Sequence, residues 1–594
     1  MLLITAEGLC GTAKHYNIKD EYFLMVLALI FIIACALLTV GYFVYGGFLT
    51  RWVGVQEDRQ TPAHEYSDGV DYVPAHTPVL FGHHFSSIAG AGPIVGPILA
   101  GIWFGWLPAL VWIVIGSIFV GGVHDYTAMM ASLRHKGRSI AELCRNYLSP
   151  VTYRVFLAFI WFTLVYVLIV FLDLTAGTFA PAVEAEAETG GAVATASLFY
   201  VGIALLFGLT VRQLKLSYKW ATLIFVPLVF GALIISTFIP LRGELLPVFY
   251  VGPKYTWCIV LLAYCYIASI TPVYILLQPR DYLSSFLLYA CLLGGGIGLV
   301  LAGVTGHVAL EFPAWTGAWK DMGGHTGFIF PLLFITVACG AVSGFHSIVA
   351  SGTSSKQLNK ERNALPVAYA GMLVEGALGL IALAGVMIVA QGADILNQPP
   401  TKVFGAGIGA FLETLHIPAK YGQQFGLLAI STFLLTTLDT GTRLSRFIFE
   451  EFFGLRHKNW RFISSAATLI LPAIIVFMRF PDPQQAGHFI PAWQYIWPVF
   501  GTTNQLLAAM ALLVVFIWFA KTGKRKVYVL LPMLFMLATT FTMLIQLIQQ
   551  NLLGPNKQFL IGSICALLLI LALLVVGDTI RCWGRISTPE REQT

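Results

Sequence analysis

Apolar residues run along this chain in blocks of about twenty, separated by short polar stretches, from Tyr22 to near Asp578. A block of about 20 apolar residues is long enough to cross a bilayer core as a helix, and a helix satisfies its own backbone there. The pattern predicts fifteen spans, at 22–49, 79–104, 107–132, 152–175, 193–211, 218–239, 255–278, 283–304, 326–351, 366–391, 421–441, 461–479, 491–519, 527–549 and 557–577. Composition agrees with this all-α polytopic membrane reading. The chain has 594 residues, 57% hydrophobic and 11% charged, where soluble proteins carry roughly 25% charged residues. Its mean hydropathy is +0.79. The first run is too long for a cleaved signal and reads as an uncleaved span.

The polar stretches alternate in charge. One side holds RHKGR (134–138), VRQLKLSYK (211–219), KQLNKER (356–362), the basic residues of 443–461, KTGKRK (521–526) and the arginines of the tail. Of 35 Lys and Arg, 26 fall on that side and 9 on the other. Basic loops face the cytoplasm, which predicts the N-terminus outside and the C-terminus inside. Net charge of +6 then reports orientation, and no nucleic-acid partner is expected. Between two spans, Phe404, Ile408, Phe411, Leu412 and Leu415 share one face of a helical pattern, which predicts an amphipathic helix lying on the outer surface.

Span starts near 79, 107, 152 and 193 recur near 255, 283, 326 and 366, at offsets of 176, 176, 174 and 173. Five spans is an odd number, so a second set would enter from the opposite face, as in the inverted repeats of secondary transporters. The predicted organisation is an N-terminal segment and first helix (1–78), repeat one (79–240), repeat two (253–445) and C-terminal peripheral helices (459–594). The first span of each set carries helix breakers: GAGPIVGP at 90–97, and ASITPVYILLQPRDY at 268–282. Proline suits a first helical position, with Gly or Thr before it. Gly92–Pro93 and Thr271–Pro272 therefore predict half-helices that restart at mid-membrane, their N–H groups aimed at an anion such as a carboxylate. The bland alternative is a pair of proline kinks that only aid packing.

This makes Ser86, Ser87, Ala89, Gly90, Ala91, Gly92, Pro93, Ser269, Thr271 and Pro272 candidate substrate-binding residues. Histidine titrates near neutral pH, and charges inside a membrane are costly and so informative. His83, His84, His124, Asp125, His346, Ser343, Ser347 and Glu375 are the candidates for ion coupling or gating, set against plain hydrogen-bonded packing roles. Asp439 and Arg443, four residues apart, predict a helical ion pair. Arg280–Asp281 is placed at the inner end of its span. Adjacent histidines point about 100° apart on a helix and do not clamp one metal alone, so no metal or other cofactor is expected. The nine cysteines show no CxxC spacing and read as packed hydrophobes. No GxxxxGK[ST], HExxH or GxSxG occurs, and neither an ATP site nor an enzyme is predicted.

HHFSSIAGAGPIVGP (83–97), WLPALVWIVIGSIFVGGVHDYTAMMASLRHKGRSI (106–140), SGFHSIVASGTSSKQL (343–358) and WPVFGTTNQLLAAMAL (497–512) together resemble the carbon starvation protein A (CstA) family over most of the chain. The resemblance implies a multi-pass carrier of the bacterial inner membrane with a five-plus-five, LeuT-like (APC-type) fold. It implies import of short peptides or of a small carboxylate such as pyruvate under carbon starvation. Proton symport is implied for the pyruvate branch; a sodium-coupled carrier and a passive channel or facilitator are the alternatives. It also marks His83, His84, Gly90, Gly92, Pro93, His124, Asp125 and His346 as functional positions.

Overall fold

A computed structural model describes residues 18–68, 72–181, 187–250, 252–272, 275–321, 326–455, 457, 459–482, 487–554 and 557–582. The tail beyond Cys582, whose arginines entered the orientation argument above, lies outside the described residues.

Among the described residues, thirteen helices are long and apolar enough to cross a membrane, and one bent pair of helices brings the total to fourteen. In chain order, α1 (Met25–Val53) is followed by the bent pair α2 (Thr77–Ile88) and α3 (Gly92–Phe104). Next come α4 (Trp106–Arg134), α5 (Pro150–Phe179), α6 (Ala187–Gln213), α7 (Tyr218–Ser236), α8 (Pro253–Ile270) and α9 (Leu277–Val304). Two short helices follow, α10 (Ile329–Thr336) and α11 (Gly344–Gly352). After them run α12 (Glu361–Met387), the short α13 (Pro400–Glu413) and α14 (Ala419–Phe453). The last four are α15 (Trp460–Phe477), α16 (Ala492–Lys521), α17 (Val527–Leu553) and α18 (Phe559–Arg581).

The most hydrophobic windows of α14 and α16 are wholly buried, so these helices form the core with α5 and α12. At the periphery, α1, α7, α15 and α18 turn large apolar side chains such as Phe43, Leu223, Ile474 and Leu574 outward, as lipid contact requires. The amphipathic helix exists as α13, with Phe404, Ile408, Phe411 and Leu412 buried. Its glycines lie on those of its neighbours: a methyl on Gly407 would sit 2.9 Å from Gly385 Cα, and one on Gly422 2.9 Å from Gly409 Cα. The GGGIG run of α9 is likewise a packing surface, with Gly298 against the Phe411 carbonyl.

Two expectations need correcting. The predicted span 326–351 is not continuous, because α10 and α11 are separated by a non-helical link over residues 337–343. Conversely, Thr271–Pro272 does not interrupt a helix that then resumes. α8 ends at Ile270 after 18 residues, about 27 Å of helix and enough for a span by itself. The next helix starts at Leu277 and carries Pro279 in its first turn. The second helix break is therefore at 337–343.

Candidate functional site

The first break forms as its residues require. α2 closes with the Ala89 N–H on the Phe85 carbonyl (2.9 Å) and the Gly90 N–H on that of Ile88 (2.8 Å). Ala91 then caps α3, whose Pro93 occupies the first turn, where a missing N–H costs nothing. The two halves meet at a 48° bend. Bare backbone is what lets the break fit. A methyl on Gly90 would sit 2.8 Å from both Phe171 of α5 and Thr437 of α14. One on Gly92 would sit 2.2 Å from Cys339 Sγ, and one on Gly96 2.4 Å from the Thr336 carbonyl.

Those last contacts lie on the second break, so the two interrupted segments pack on each other. Unwound carbonyls inside a membrane protein must find partners, and here neighbouring helices supply them. Ser117 Oγ donates to the Gly340 carbonyl (3.1 Å), and Trp112 Nε1 to that of Val337 (3.4 Å). Gln505 Nε2 donates to the Phe334 carbonyl (3.0 Å). At the start of α11, Asn504 Oδ1 accepts from the Phe345 N–H (3.0 Å), while its Nδ2 donates to Ser343 Oγ (3.1 Å).

Two buried charge clusters flank the breaks. In the first, His83 Nδ1 lies 2.9 Å from Asp281 Oδ2, and Asp281 Oδ1 accepts from Arg280 Nη2 at 3.2 Å. Arg280 is fully buried and pairs with Asp439 of α14. Tyr264 donates to Asp439 (2.8 Å) and accepts from Arg280 (2.5 Å), and Tyr200 donates to the Arg280 carbonyl. Asp439 therefore takes its hydrogen bond from Arg280, with Arg443 a further positive charge acting on it. A buried guanidinium on α9 takes its carboxylate, while Arg443 Nη2 caps the end of α8 on the carbonyls of Ala268 and Thr271, 2.7 Å each. Arg280–Asp281 is a fully buried pair in the opening turns of α9, rather than at the inner end of the preceding span.

In the second cluster, Asp125 of α4 accepts from two imidazoles, His124 Nδ1 at 2.7 Å and His346 Nδ1 at 2.8 Å. The other ring nitrogen of His346 faces Glu375 Oε2 of α12 at 3.2 Å. All four side chains are buried.

The structure thus gathers Gly90, Ala91, Gly92 and Pro93 at the meeting of the breaks, with His83 in one cluster and His124, Asp125, His346 and Glu375 in the other. Ser343 joins the Asn504 network. Ser86 Oγ reaches the Asp281 carbonyl (3.2 Å), whereas Ser87 and Ser347 bond back to their own helices at His83 (2.8 Å) and Gly344 (2.7 Å). His84 Nδ1 lies 2.8 Å from Ser354 Oγ. Ser269, Thr271 and Pro272 sit elsewhere, at the end of α8. Ser269 Oγ meets Ser465 Oγ (2.9 Å), Arg446 donates to the Ser269 carbonyl (2.8 Å), and Pro272 is exposed. Sequence reasoning passed over Cys339, Asn504, Phe171 and Thr437. Only Asn504 carried a signal, one of two adjacent amides, with Gln505, in the apolar stretch GTTNQLLAAMAL.

The family model described as Carbon starvation protein CstA matches residues 26–403 and 389–543. The chain belongs to the CstA family. It is 31% identical to the Peptide transporter CstA of Bacillus subtilis (strain 168), over 94% of this chain and 97% of that one. Against the Peptide transporter CstA of Escherichia coli (strain K12) identity is 30%, covering 85% and 78%. The Pyruvate/proton symporter BtsT of the same strain is 29% identical, covering 83% and 78%. Of the stretches that carried the resemblance to the CstA family in the sequence, HHFSSIAGAGPIVGP contains the first break, and SGFHSIVASG forms α11, the half-helix that follows the second.

Proposed function

We propose that this chain is a secondary active carrier, not an enzyme, that imports a small carboxylate such as pyruvate, or short peptides, together with protons. The observation that carries the reading is the pair of interrupted helices packed break to break at Gly92 and Cys339. Each break leaves the N-terminus of a half-helix, α3 and α11, inside the bundle, and such ends attract a carboxylate. Pyruvate and peptides both carry one. The names of the relatives point the same way.

The five-plus-five repeat is kept in this reading with its second half redrawn. It begins at α10–α11, so that α2–α3 corresponds to α10–α11, α4 to α12, and α5 to α14. Helix packing supports this: α9 lies on α2 and α14, while α16 lies on α11 and α5. The basic loops face the cytoplasm of the inner membrane, with the N-terminus outside and the C-terminus inside.

Proton coupling is assigned to His83. The charges in its cluster are Arg280, Asp281 and Asp439, with Arg443 acting on Asp439 from α14, and with Tyr264 and Tyr200 behind them and His84 adjacent. Of these groups it is His83 that faces Asp281 from the interrupted helix α2, so a proton taken up there would pair directly with that carboxylate. Uptake of labelled pyruvate and dipeptides into proteoliposomes, under imposed proton or sodium gradients, tests the reading. Proton-driven accumulation is expected, with His83→Gln abolishing accumulation while counterflow exchange persists. Accumulation driven by sodium alone would replace the coupling ion, and non-saturable flux indifferent to every gradient would overturn the carrier.

A further inference from the structure

We propose that Cys339, His346 and Glu375 form a binding site for a divalent cation of the zinc class, a site that does not depend on the transport reading. Cys339 lies in the 337–343 link, His346 on α11 and Glu375 on α12. A thiol sulfur, an imidazole nitrogen and a carboxylate oxygen from these three lie within 4.8 Å of one another, and all three residues are buried. Cys, His and carboxylate donors together suit zinc or a related borderline cation rather than calcium or magnesium.

The protonation pattern points to a cation. Asp125 Oδ2 accepts from His346 Nδ1 at 2.8 Å, which places the ring proton on Nδ1. A neutral ring then turns the bare lone pair of Nε2 toward Glu375 Oε2, 3.2 Å away. Among the described residues, His346 Nε2 and the Glu375 oxygens have no hydrogen-bonding neighbour other than each other. A lone pair and a carboxylate facing each other in a buried site repel unless a positive charge lies between them. Nitrogen and oxygen on a tetrahedral zinc stand about 3.3 Å apart, given bond lengths of about 2.0–2.1 Å. The observed separation is already that.

The surroundings fit as well. An imidazole ligand commonly donates its second N–H to a carboxylate, which fixes the ring, and Asp125 occupies that place. Among the described residues, neither Asp125 nor Glu375 has a lysine or arginine partner. Two buried carboxylates without a fixed cation are what a divalent ion would neutralise. The Cys339 thiol is held only loosely, 3.5 Å from Ser343 Oγ and 3.8 Å from Asn504 Nδ2. It would give up its proton on binding. A bound ion would tie the second break to α12.

The test uses untagged, detergent-purified protein stripped with a chelator, then titrated with Zn²⁺ by calorimetry and with Co²⁺ by absorption. One equivalent is expected to bind, with a near-ultraviolet thiolate-to-cobalt band. Cys339→Ser should lose that band, and both Cys339→Ser and Glu375→Gln should weaken Zn²⁺ binding at least ten-fold. Cys291→Ser, a buried cysteine of α9 outside the cluster, should bind as the wild type does. Absent binding, binding equal in all four proteins, or a cobalt complex without the thiolate band would each overturn the site. A proton shared by His346 and Glu375 would give the first of these results.

Discussion

Replacing Gly92 with alanine would put a methyl carbon 2.2 Å from Cys339 Sγ and 2.4 Å from its Cβ. Ordinary contacts begin at about 3.5 Å, so the two breaks would have to part by about 1.3 Å. Overpacking of this kind costs about 1–3 kcal/mol. Alanine recovers up to about 1 kcal/mol over glycine in a helix, which leaves a net loss of about 0–2 kcal/mol when that gain is full. The clash is confined to one side chain. With Cys339 cut back to glycine, the nearest remaining atom of that residue would be its Cα at 3.7 Å, an ordinary contact. Gly92→Ala should therefore be destabilising alone and relieved by Cys339→Gly, with a coupling of at least about 1 kcal/mol in the double-mutant cycle. Thermal unfolding of the four metal-stripped proteins in detergent, with uptake measured in parallel, reads this out. Additive effects in the cycle would refute the close approach on which the paired breaks rest. Gly92→Leu should insert into membranes and transport nothing.

Three other outcomes follow from the same geometry. Asp439→Ala leaves Arg280 buried with half its compensation and should cost about 3–5 kcal/mol, whereas Arg280→Met combined with Asp439→Leu should cost much less; detergent thermostability distinguishes them. Asn504→Ala removes the acceptor for the Phe345 N–H and should cost about 1–3 kcal/mol, read as faster amide exchange at the start of α11. Gly298→Ala would place a methyl 2.4 Å from the Phe411 carbonyl and should loosen α13, seen as increased proteolysis of the 388–418 segment with the rest of the bundle intact.

The first break was legible in the chain because AGAGP combines small residues with a proline at a helix start. The second was not. Its ACGAVSG stretch has the small residues and no proline, and it looks like ordinary close packing of apolar helices. Thr271–Pro272 misled for the converse reason: proline marks where a helix stops, not whether the chain restarts along the same axis. Length decides that. The 12 residues of α2 reach only about 18 Å and stop inside, while the 18 of α8 already cross. The Asp439–Arg443 expectation was incomplete because the rule for neighbours on one helix cannot see Arg280, which arrives from 159 residues away. Buried histidines and acids were readable as special, but their sorting into two clusters depends on packing that no local pattern encodes.

Along α13, main chain rests directly on main chain, with Gly407 on Gly385 and Gly422 on Gly409. Such a joint has no rotamers to readjust and no slack to slide in, so it behaves as a weld. The slab of α12, α13 and α14 is therefore expected to move as one piece, leaving the short unwound links at 89–91 and 337–343 to absorb a change of shape. Spin labels on α13 and α14 should keep a constant separation through the transport cycle, while labels spanning either link should not.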